Sequence, residues 1–540
     1  MRSGFRFAIA IACAAPCLAA ELPNLTSQLQ DISALASRGL AAITDAASAA
    51  PPHPAADLSN LTPALQNISA AVFPDLVAIA ADVHEHPETS TEEFHAHNAV
   101  VQYFAKINPG LWEVTPSAFG EPTAWTLEFE NRPRGYRGEL PAVGFMSEYD
   151  ALVGIGHACG HNLILLNGIA AAAMARQAVI DFDIPARLIV VGTPDEEDTG
   201  GKHRLEVAGA FKDSDVWMMA HPATSNIVSP LGARANALLE ISGKTHAEAV
   251  KKAYKELVTV VDLAGKLPGD ATTAVPVENV GMFASNIVQT RIDLGVAGLP
   301  LDEVNKTIAD IGDDHDIEWA VSSSENGVDI TFEGRGGHGS EGSFSALSLS
   351  VEVFRQLSAS HPDVSYYLPS NTSHTELDIT INVRSRYTLD MEEIKSSIQD
   401  AVECIPDSIE WDLQYPATEV TPFLPDLLIE VMSKPEYGSQ KWTIINTTPA
   451  ATDASFVQQA VVDPETRKLV KAKRAVFHPN FSICEESAKC PYNHEPEFAH
   501  LAGTDFAYAQ TEKMARSLAE IAVKLLNDKE LMDQATAITR

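Results

Sequence analysis

Apolar runs and helical patterns alternate along the chain from about residue 73. Apolar runs predict strands at Ala124–Glu130, Pro141–Ser147, Ala186–Gly192 and Val216–Ala220, and the Ala-rich run Asn162–Ile180 predicts a buried helix. Strands that alternate with helices in this way form a parallel sheet with helices on both faces. We therefore expect an α/β domain with a largely parallel sheet, in which loops at the carboxyl ends of the strands build any site.

The middle of the chain shows the same order of elements twice. The first copy spans 237–320 and contains His246, and the second spans 328–412 and contains His338. Each copy reads β-α-β-β-α-β, which is the ferredoxin-like split motif. The sequence thus predicts that a tandem ferredoxin-like insert interrupts the α/β domain, which then resumes and ends in an amphipathic helix at Lys513–Leu526.

The N-terminus has the pattern of a secretory signal peptide. Two arginines precede the apolar stretch Phe7–Leu18, and small residues follow it. Residues 21–70 are rich in Ala, Ser and Pro, and they contain a short repeat in which Leu22–Ala34 returns as Leu58–Ala70. Pro51, Pro52 and Pro54 break the segment between the two copies, and we expect it to be a surface appendage or linker. The expected division is a signal peptide at 1–20, the appendage at 21–70, the first part of the α/β domain at 71–230, insert units at 231–322 and 323–420, and the second part of the α/β domain at 421–540.

Composition narrows the choice of partners and compartment. The chain has 540 residues and a formal net charge of −35 at pH 7, which argues against nucleic acid and anionic membranes as partners. After the N-terminal stretch, we expect no apolar run long enough to span a bilayer. With the signal, seven Asn-x-Ser/Thr sequons predict a secreted glycoprotein. The sequons begin at Asn24, Asn60, Asn67, Asn305, Asn371, Asn446 and Asn480.

The cysteines are too few for a disulfide scaffold. Cys13 and Cys17 lie within the expected signal. Cys484 and Cys490 are close in sequence and could form a bridge in an oxidising compartment, with Cys404 as an alternative partner.

Five short stretches hold metal-competent side chains. They are Ser147–Asp150, His157–His161, Gly192–Glu197, Met219–Pro222 and Asn493–His494. Taken singly, each has a structural explanation, such as a packed cysteine or a solvated glutamate pair. Taken together, Cys, His and carboxylate groups at strand ends predict a site for two divalent ions of the zinc or manganese type.

These stretches also carry a resemblance to a known family. Ser-Glu-Tyr-Asp-Ala-Leu, Gly-His-Ala-Cys-Gly-His-Asn, Gly-Thr-Pro-Asp-Glu-Glu and Gly-Gly-Lys follow one another between residues 147 and 202. This order resembles the co-catalytic metallopeptidase and amidohydrolase family of carboxypeptidase G, the aminoacylases and the auxin-conjugate hydrolases. The similarity is greatest to p-aminobenzoyl-glutamate hydrolase and its dipeptidase-like relatives, and it covers about 73–540.

The resemblance implies a role for each matched residue. Metal ligands would be Cys159, His161, Glu197, His221 and His494, which would hold two divalent ions, zinc first and manganese as the alternative. Glu196 matches the general base. Asp150 matches a carboxylate that orients a ligand histidine. Asp453 resembles a nearby family motif without a settled role.

In this family the insert is a lid that reaches the active site. A lid Gly-x-x-His supplies a histidine for the oxyanion, and His246 and His338 are both candidates. The stretch around His338 keeps more of the pattern. Asn286 matches a lid residue that contacts substrate, and Arg384 is a candidate for a substrate carboxylate, which Arg binds bidentately. The duplicated lid implies a monomer in which His338 acts within its own chain.

The resulting interpretation is a secreted metal-dependent amidohydrolase that acts on a small-molecule substrate. It would cleave the amide bond of a dipeptide or an N-acyl amino acid with a metal-activated water, and Glu196 would be the general base. The alternative is an inactive relative that binds small ligands or proteins. A structural zinc protein is disfavoured because such sites are commonly rich in cysteine.

Overall fold

The computed structural model describes most of the chain after residue 53. The described ranges are 54–107, 110–264, 266–267, 272–278, 287–288, 290–311, 317–334, 337–338, 345–370, 372–402, 407–448, 450–485 and 490–540. Outside them lie the expected signal sequence, the first repeat copy, Asn24, Asn286, Asn371 and Cys404. The chain divides into two compact units, 1–54 with 135–139 and 55–134 with 140–540. All helices and strands named here belong to the second unit.

The first part of the second unit alternates strands and helices as expected. Its elements are α1 (Leu61–Glu85), α2 (Phe94–Gln102), β1 (Glu113–Pro116), β2 (Trp125–Asn131), β3 (Ala142–Ser147), α3 (His161–Asp181), β4 (Ala186–Gly192), α4 (Gly201–Val207), β5 (Val216–Met218), β6 (His221–Ala223) and β7 (Ile227–Val228). The four predicted strands and the apolar helix are all present, with ends that differ by at most two residues from those expected.

The insert and the final part follow. The insert contains β8 (Ala233–Ser242), α5 (His246–Ala264), β9 (Thr272–Glu278), β10 (Ile287–Val288), β11 (Arg291–Ala297), α6 (Leu301–Ile311), β12 (Glu318–Ser323), β13 (Val328–Glu333), β14 (Gly337–His338), α7 (Ala346–Ser360), β15 (Ser365–Tyr367), β16 (Glu376–Ser385), α8 (Met391–Val402) and β17 (Ser408–Trp411). The final part contains α9 (Leu424–Met432), β18 (Thr443–Ile444), α10 (Ser455–Gln458), β19 (Val461–Val462), β20 (Leu469–Lys471), β21 (Ala475–Phe477), β22 (Asn480–Ser482), α11 (Pro496–Ala502), α12 (Asp505–Asn527) and α13 (Lys529–Ala535).

The main sheet brings the carboxyl ends of four strands to one edge. Its strand order is β1-β2-β4-β3-β5-β21. Strands β4, β3, β5 and β21 run parallel, β2 is antiparallel to β4, and β1 is antiparallel to β2. The α/β class with a largely parallel sheet is confirmed. Since parallel strands end at the same edge, the loops after β3, β4, β5 and β21 meet there.

Helix α3 forms the centre of the main core. It packs against β3 and against α1 and α12. Leu163, Leu166, Ile169 and Val179 are fully buried. An apolar helix covered on this many sides needs no polar face, which explains why its sequence shows hardly any amphipathic period.

Helix α1 begins earlier than the helical pattern suggested. We expected a helix from about Phe73 and a surface appendage up to residue 70, but the second repeat copy forms the first turns of α1. Leu61 and Leu65 are buried in the main core, and Thr62 donates a hydrogen bond to Glu520 (2.9 Å). Apolar side chains four residues apart lie on one helix face, and here that face meets α12 and α3.

Replacing a buried leucine in this repeat should therefore destabilise the whole unit. We expect Leu65→Ala to lower the free energy of unfolding by about 2–5 kcal/mol, because it removes buried methyl groups and leaves a cavity. The neighbouring Gln66→Ala, at an exposed position, should change it by no more than about 0.5 kcal/mol. Urea unfolding of both variants measures the difference, and equal stabilities would show that 58–70 is an appendage after all.

Two ferredoxin-like sheets make up the insert, which we call the lid. One four-stranded antiparallel sheet has the order β17-β8-β16-β9, and the other has the order β12-β13-β11-β15. Along the chain each set of strands follows a βαββαβ order, with α5 and α8 in the first set and α6 and α7 in the second. The two sheets share one apolar core.

The lid units are nested rather than tandem. The second unit lies between β9 and β16 of the first. The expected boundary at 322/323 falls inside β12, which pairs with β13 in one sheet and has Ser323 opposite Val328. Alternation of apolar residues predicts where strands lie in the sequence, but it does not predict which strands pair with each other. The prediction also missed β9 and β15, and without them the units could not be assigned to sheets.

Within the described part of the chain, two helices are long and apolar enough to cross a membrane by length and composition, α1 and α3. This differs from the expectation that no later run would be long enough. In α3, 78% of the apolar window is buried inside the protein, as in the core helix of a globular domain. The corresponding share in α1 is 33%.

Two further expectations concern covalent chemistry. Cys484 and Cys490 form a disulfide. Of the sequons in the described residues, Asn60, Asn67, Asn305 and Asn446 are exposed. Asn480 is only 8% exposed and begins β22. A glycan at Asn480 would have to enter the folded core, so this site is withdrawn from the predicted set.

Candidate metal centre

Asp150 connects three of the stretches that converge at the sheet edge. Its Oδ1 lies 2.8 Å from Nδ1 of His161, and its Oδ2 accepts hydrogen bonds from the Glu197 backbone N–H (2.9 Å) and the Ser90 hydroxyl (3.1 Å). Burial opposes ionisation of Asp150, but His161 holds its pKa below the usual value. The carboxylate therefore holds the His161 ring so that Nε2 points away from Asp150.

The five predicted ligands lie together. His161 Nε2 is 3.7 Å from Glu197 Oε1, and the same oxygen is 3.4 Å from His494 Nε2. Cys159 Sγ is 3.4 Å from His221 Nε2. One donor atom each from Cys159, His161 and His221 lies within 4.8 Å of the others, and so does a second set from Cys159, Glu197 and His494.

The donor set fits cations. The side chains of Cys159, His161, Glu197 and His494 are all buried, and those of His161 and His494 are fully so. His161 Nε2 has no hydrogen-bond partner among the described residues, although it faces two carboxylates. Burial lowers the pKa of His221 to about 3, with help from His478 and His161. His221 is therefore neutral, which is the form in which imidazole binds metals.

Local backbone geometry makes the convergence possible. Gly160 has a φ of +82°, and a Cβ there would lie 2.5 Å from Pro222. Only glycine lets the loop before α3 approach the His221–Pro222 segment so closely. His494 has a φ of +69°, a conformation that non-glycine residues adopt infrequently and often at functional sites.

Glu196 lies beside these ligands. Its Oε1 accepts a long hydrogen bond from the Asp453 backbone N–H (3.4 Å), and its carbonyl accepts one from the Tyr415 hydroxyl (3.1 Å). Burial raises the pKa of Glu196 well above its ordinary value, and the carboxylates of Glu148, Glu197 and Asp453 raise it further. Cations among these carboxylates would remove much of that cost and leave Glu196 ionised.

A buried ammonium group next to Glu196 is the main feature that sequence reasoning missed. Lys202 is fully buried, and its Nζ lies 2.5 Å from Glu148 and 2.6 Å from Asp453. Burial would lower the pKa of Lys202, but the two carboxylates raise it above the ordinary value. Glu148, Asp453 and Glu196 are close enough to hold a metal ion themselves. Lys202 supplies the positive charge there.

His478 is a second residue that the sequence analysis missed. It is buried, its ring centroid is 5.8 Å from that of His221, and neither ring nitrogen has a hydrogen-bond partner among the described residues. A signal for it exists in the sequence: His478-Pro479 follows an apolar strand near the site, just as His221-Pro222 does.

The lid contributes two buried arginines. Arg384 lies opposite Arg234 on neighbouring strands, and both are buried. Burial and the neighbouring charge of Arg234 lower the pKa of Arg384 to about 9. The carboxylates of Glu196 and Glu197 partly offset this lowering. Arg234 stacks on the Tyr415 ring with its Cζ 4.1 Å from the ring centroid. Arg384, the predicted carboxylate-binding residue, is thus close enough to Glu196 and Glu197 of the candidate metal centre for their charges to interact.

The two lid histidines differ in their surroundings. His246 lies within hydrogen-bonding distance of the His374 carbonyl, and its Nε2 accepts a hydrogen bond from the Leu368 backbone N–H (3.0 Å). Both ring nitrogens are therefore engaged within the lid. His338 lies in β14, which pairs with β10 so that His338 is opposite Ile287. Its side chain is not among those described, and Asn286 lies outside the described residues.

Comparison with known proteins supports the resemblance drawn from the motifs. No protein-family model matches this chain. The human Xaa-Arg dipeptidase is 42% identical over 158 residues, which are 28% of this chain and 36% of that protein. One of the subunits of p-aminobenzoyl-glutamate hydrolase from Escherichia coli is 27% identical over 161 residues, or 27% of this chain and 31% of that one. The chain thus spans about a third of these relatives' length.

The fold has a counterpart among solved structures. The crystal structure of a candidate aminohydrolase from methicillin resistant Staphylococcus aureus superimposes with a TM-score of 0.50 at 13% identity, over 85% of this chain and 99% of that one. At this identity the likeness concerns the fold alone. The predicted resemblance is confirmed: this chain is a homologue of proteins named Xaa-Arg dipeptidase and p-aminobenzoyl-glutamate hydrolase.

Proposed function

We propose that this protein is a metal-dependent hydrolase of small amides, which cleaves a dipeptide or an N-acyl amino acid. The observation that carries the proposal is the convergence of Cys159, His161, Glu197, His221 and His494 beside Glu196. The names of the homologues agree with hydrolysis of peptide or related amide bonds.

The donor set suits two divalent ions, with zinc favoured over manganese. Cys159, His161 and His221 form one group of donors, Cys159, Glu197 and His494 form another, and thiolate with imidazole is a zinc-like combination. When bound, two such ions would lower the pKa of water, polarise the scissile carbonyl and stabilise negative charge on it.

The chain's own groups would then move the proton. Glu196 is the general base: its carboxylate takes a proton from the attacking water and passes it to the leaving amine. Asp150 keeps the His161 ring in place through its 2.8 Å contact. Lys202 offsets part of the negative charge of Glu148 and Asp453, which reduces the repulsion that an ionised Glu196 meets in this buried cluster.

The lid arginines favour a substrate with a free carboxylate. Arg384 and Arg234 place positive charge in a buried region that also contains Glu196 and Glu197. A substrate carboxylate that lies between them would offset the desolvation of the guanidinium groups. Both a dipeptide and an N-acyl amino acid offer such a carboxylate.

A panel of dipeptides and N-acyl amino acids tests the proposal. Full-length protein should hydrolyse at least one class after zinc or manganese is added, and a chelator should abolish the activity. No metal-dependent turnover on any member would favour the alternative, an inactive relative that binds small ligands or proteins.

His338 is the proposed lid residue that meets the oxyanion. We expect His338→Ala to lower kcat by about 10²–10³-fold, as loss of an oxyanion donor does elsewhere. His246→Gln is the matched control and should leave kcat unchanged, because His246 is engaged within the lid. If instead His246→Gln abolished turnover and His338→Ala did not, the two roles would be reversed.

The duplicated lid also favours a monomer. Both ferredoxin-like units belong to one chain, so His338 can act on its own metal centre. Light scattering in solution should give the mass of one chain, which is 58.0 kDa for all 540 residues without any glycan and less after removal of the signal peptide. A clean dimer whose activity falls on dilution would require a histidine from the partner instead.

We also propose that the protein is secreted and glycosylated. The N-terminal pattern and the Cys484–Cys490 disulfide both fit an oxidising compartment. Expression in eukaryotic cells should place the protein in the medium with a new N-terminus near residue 20 and glycans on exposed sequons such as Asn305 and Asn446. Retention of the full chain inside the cells would overturn this.

A further inference from the structure

A second cluster of metal-competent side chains lies where helix α1 ends. Asp82 lies in the last turn of α1, and His86 is the residue directly after the helix, with its backbone N–H bonded to the Asp82 carbonyl. His95 belongs to the first turn of α2 and reaches the same place from the other end of the intervening loop. None of the three belongs to the metal centre described above.

The three side chains face one another closely. His95 Nε2 is 2.7 Å from Asp82 Oδ2, and His86 Nδ1 is 3.3 Å from Asp82 Oδ1. The two imidazole ring centroids are 4.6 Å apart. One donor atom from each residue lies within 4.8 Å of the others. A single ion could therefore contact all three once the His86 ring turns away from the Asp82 carbonyl oxygen, which its Nδ1 contacts at 2.8 Å.

The chemistry and exposure of the cluster suit a zinc-like ion. Two imidazoles and a carboxylate are ligands that zinc, copper and nickel prefer, whereas calcium and magnesium prefer oxygen alone. The side chains are 41–55% exposed, so an ion can enter directly and water can complete its coordination.

The backbone around the cluster is already ordered. The Glu88 carboxylate accepts hydrogen bonds from the backbone N–H groups of His95 (2.7 Å) and Ala96 (3.0 Å), which fixes the start of α2. The His86 backbone N–H donates to the Asp82 carbonyl (3.1 Å) at the end of α1. Only side-chain freedom would be lost on binding, which keeps the entropic cost low.

We propose that Asp82, His86 and His95 bind one divalent transition ion, separate from the metal centre, that fastens the ends of the loop between α1 and α2. This loop supports the metal centre from outside. The Ser90 hydroxyl donates to Asp150, the Glu93 carboxylate accepts from the Asp195 backbone N–H (2.9 Å), and the Glu88 carbonyl accepts from the Ala151 backbone N–H (2.7 Å). An ion that joins the two ends would therefore stabilise the position of Asp150. The proposal does not depend on the function proposed above.

Metal counting tests the site. Full-length protein is stripped with a chelator, refilled with excess Zn²⁺, freed of unbound ion and analysed for zinc per chain. The intact protein should retain one ion more than His86→Gln/His95→Gln. The control is His361→Gln, which removes a lid histidine that pairs with Glu303, and it should match the intact protein.

Thermal unfolding gives a second readout. In the intact protein, zinc added beyond the amount that fills the metal centre should raise Tm further, and in His86→Gln/His95→Gln it should not. Asp82→Asn should behave like the double variant while keeping its metal-free Tm. Equal zinc content in the intact protein and the double variant would overturn the proposal, whether or not the metal centre itself fills or turns over substrate.

Discussion

Replacing Glu196 by Gln should lower kcat by about 10²–10⁴-fold and leave the metal content unchanged. The amide has the size and the hydrogen-bonding oxygen of the carboxylate, so it keeps the contact with the Asp453 backbone N–H. It cannot accept a proton from water. Steady-state kinetics on the best substrate of the panel, with zinc counted on the same sample, measures both quantities.

Two outcomes would contradict the assigned role of Glu196. If Glu196→Gln lost its metal together with its activity, Glu196 would be a ligand rather than a base. If its kcat stayed within a factor of about two, another group would be the base. The exposed lid carboxylate Glu410 provides the control, and Glu410→Gln should leave both metal content and kcat unchanged.

Replacing Lys202 by Met should have the largest effect on stability. The substitution keeps the volume of the side chain but removes the ammonium group that lies 2.5 Å from Glu148 and 2.6 Å from Asp453. Breaking a buried ion pair from one side leaves an uncompensated charge, which typically costs about 3–5 kcal/mol. We expect the free energy of unfolding, measured in urea without added metal, to fall by about that amount.

A charge-balanced variant separates this electrostatic effect from a packing effect. Lys202→Met/Asp453→Asn removes one positive and one negative charge, so it should be more stable than Lys202→Met alone. The exposed Lys212→Met is the matched control and should change stability by no more than about 0.5 kcal/mol. If the double variant were less stable than the single one, simple loss of packing and hydrogen bonds would explain Lys202→Met.

The predicted ligands come together for a reason that the sequence contains. Glu148–Asp150 follow β3, Glu196 and Glu197 follow β4, and His221 follows β5. Once these apolar runs are assigned to one parallel sheet, their loops must lie at one edge. His494 was singled out as a metal-competent residue type, but only the family resemblance placed it in the site, because nothing in its polar loop indicates where the chain returns.

The parts that were missed depend on contacts distant in sequence. Lys202 contacts Asp453, which is 251 residues away in the sequence, and no local sequence pattern predicts that ion pair. The nesting of the lid depends on β16 pairing with both β8 and β9, and apolar alternation is equally compatible with other partners. The four-residue spacing of Leu61 and Leu65 is compatible with a helix that begins before Phe73. The prolines that precede these leucines favoured a linker instead.

Anomalous X-ray scattering at the zinc edge, from crystals of the full chain grown with zinc, tests the central claim most directly. The account predicts two peaks about 3.5–4 Å apart, enclosed by Cys159, His161, Glu197, His221 and His494 with Glu196 at their side. Absence of density inside that ring, while zinc is bound elsewhere on the same molecules, would contradict the account.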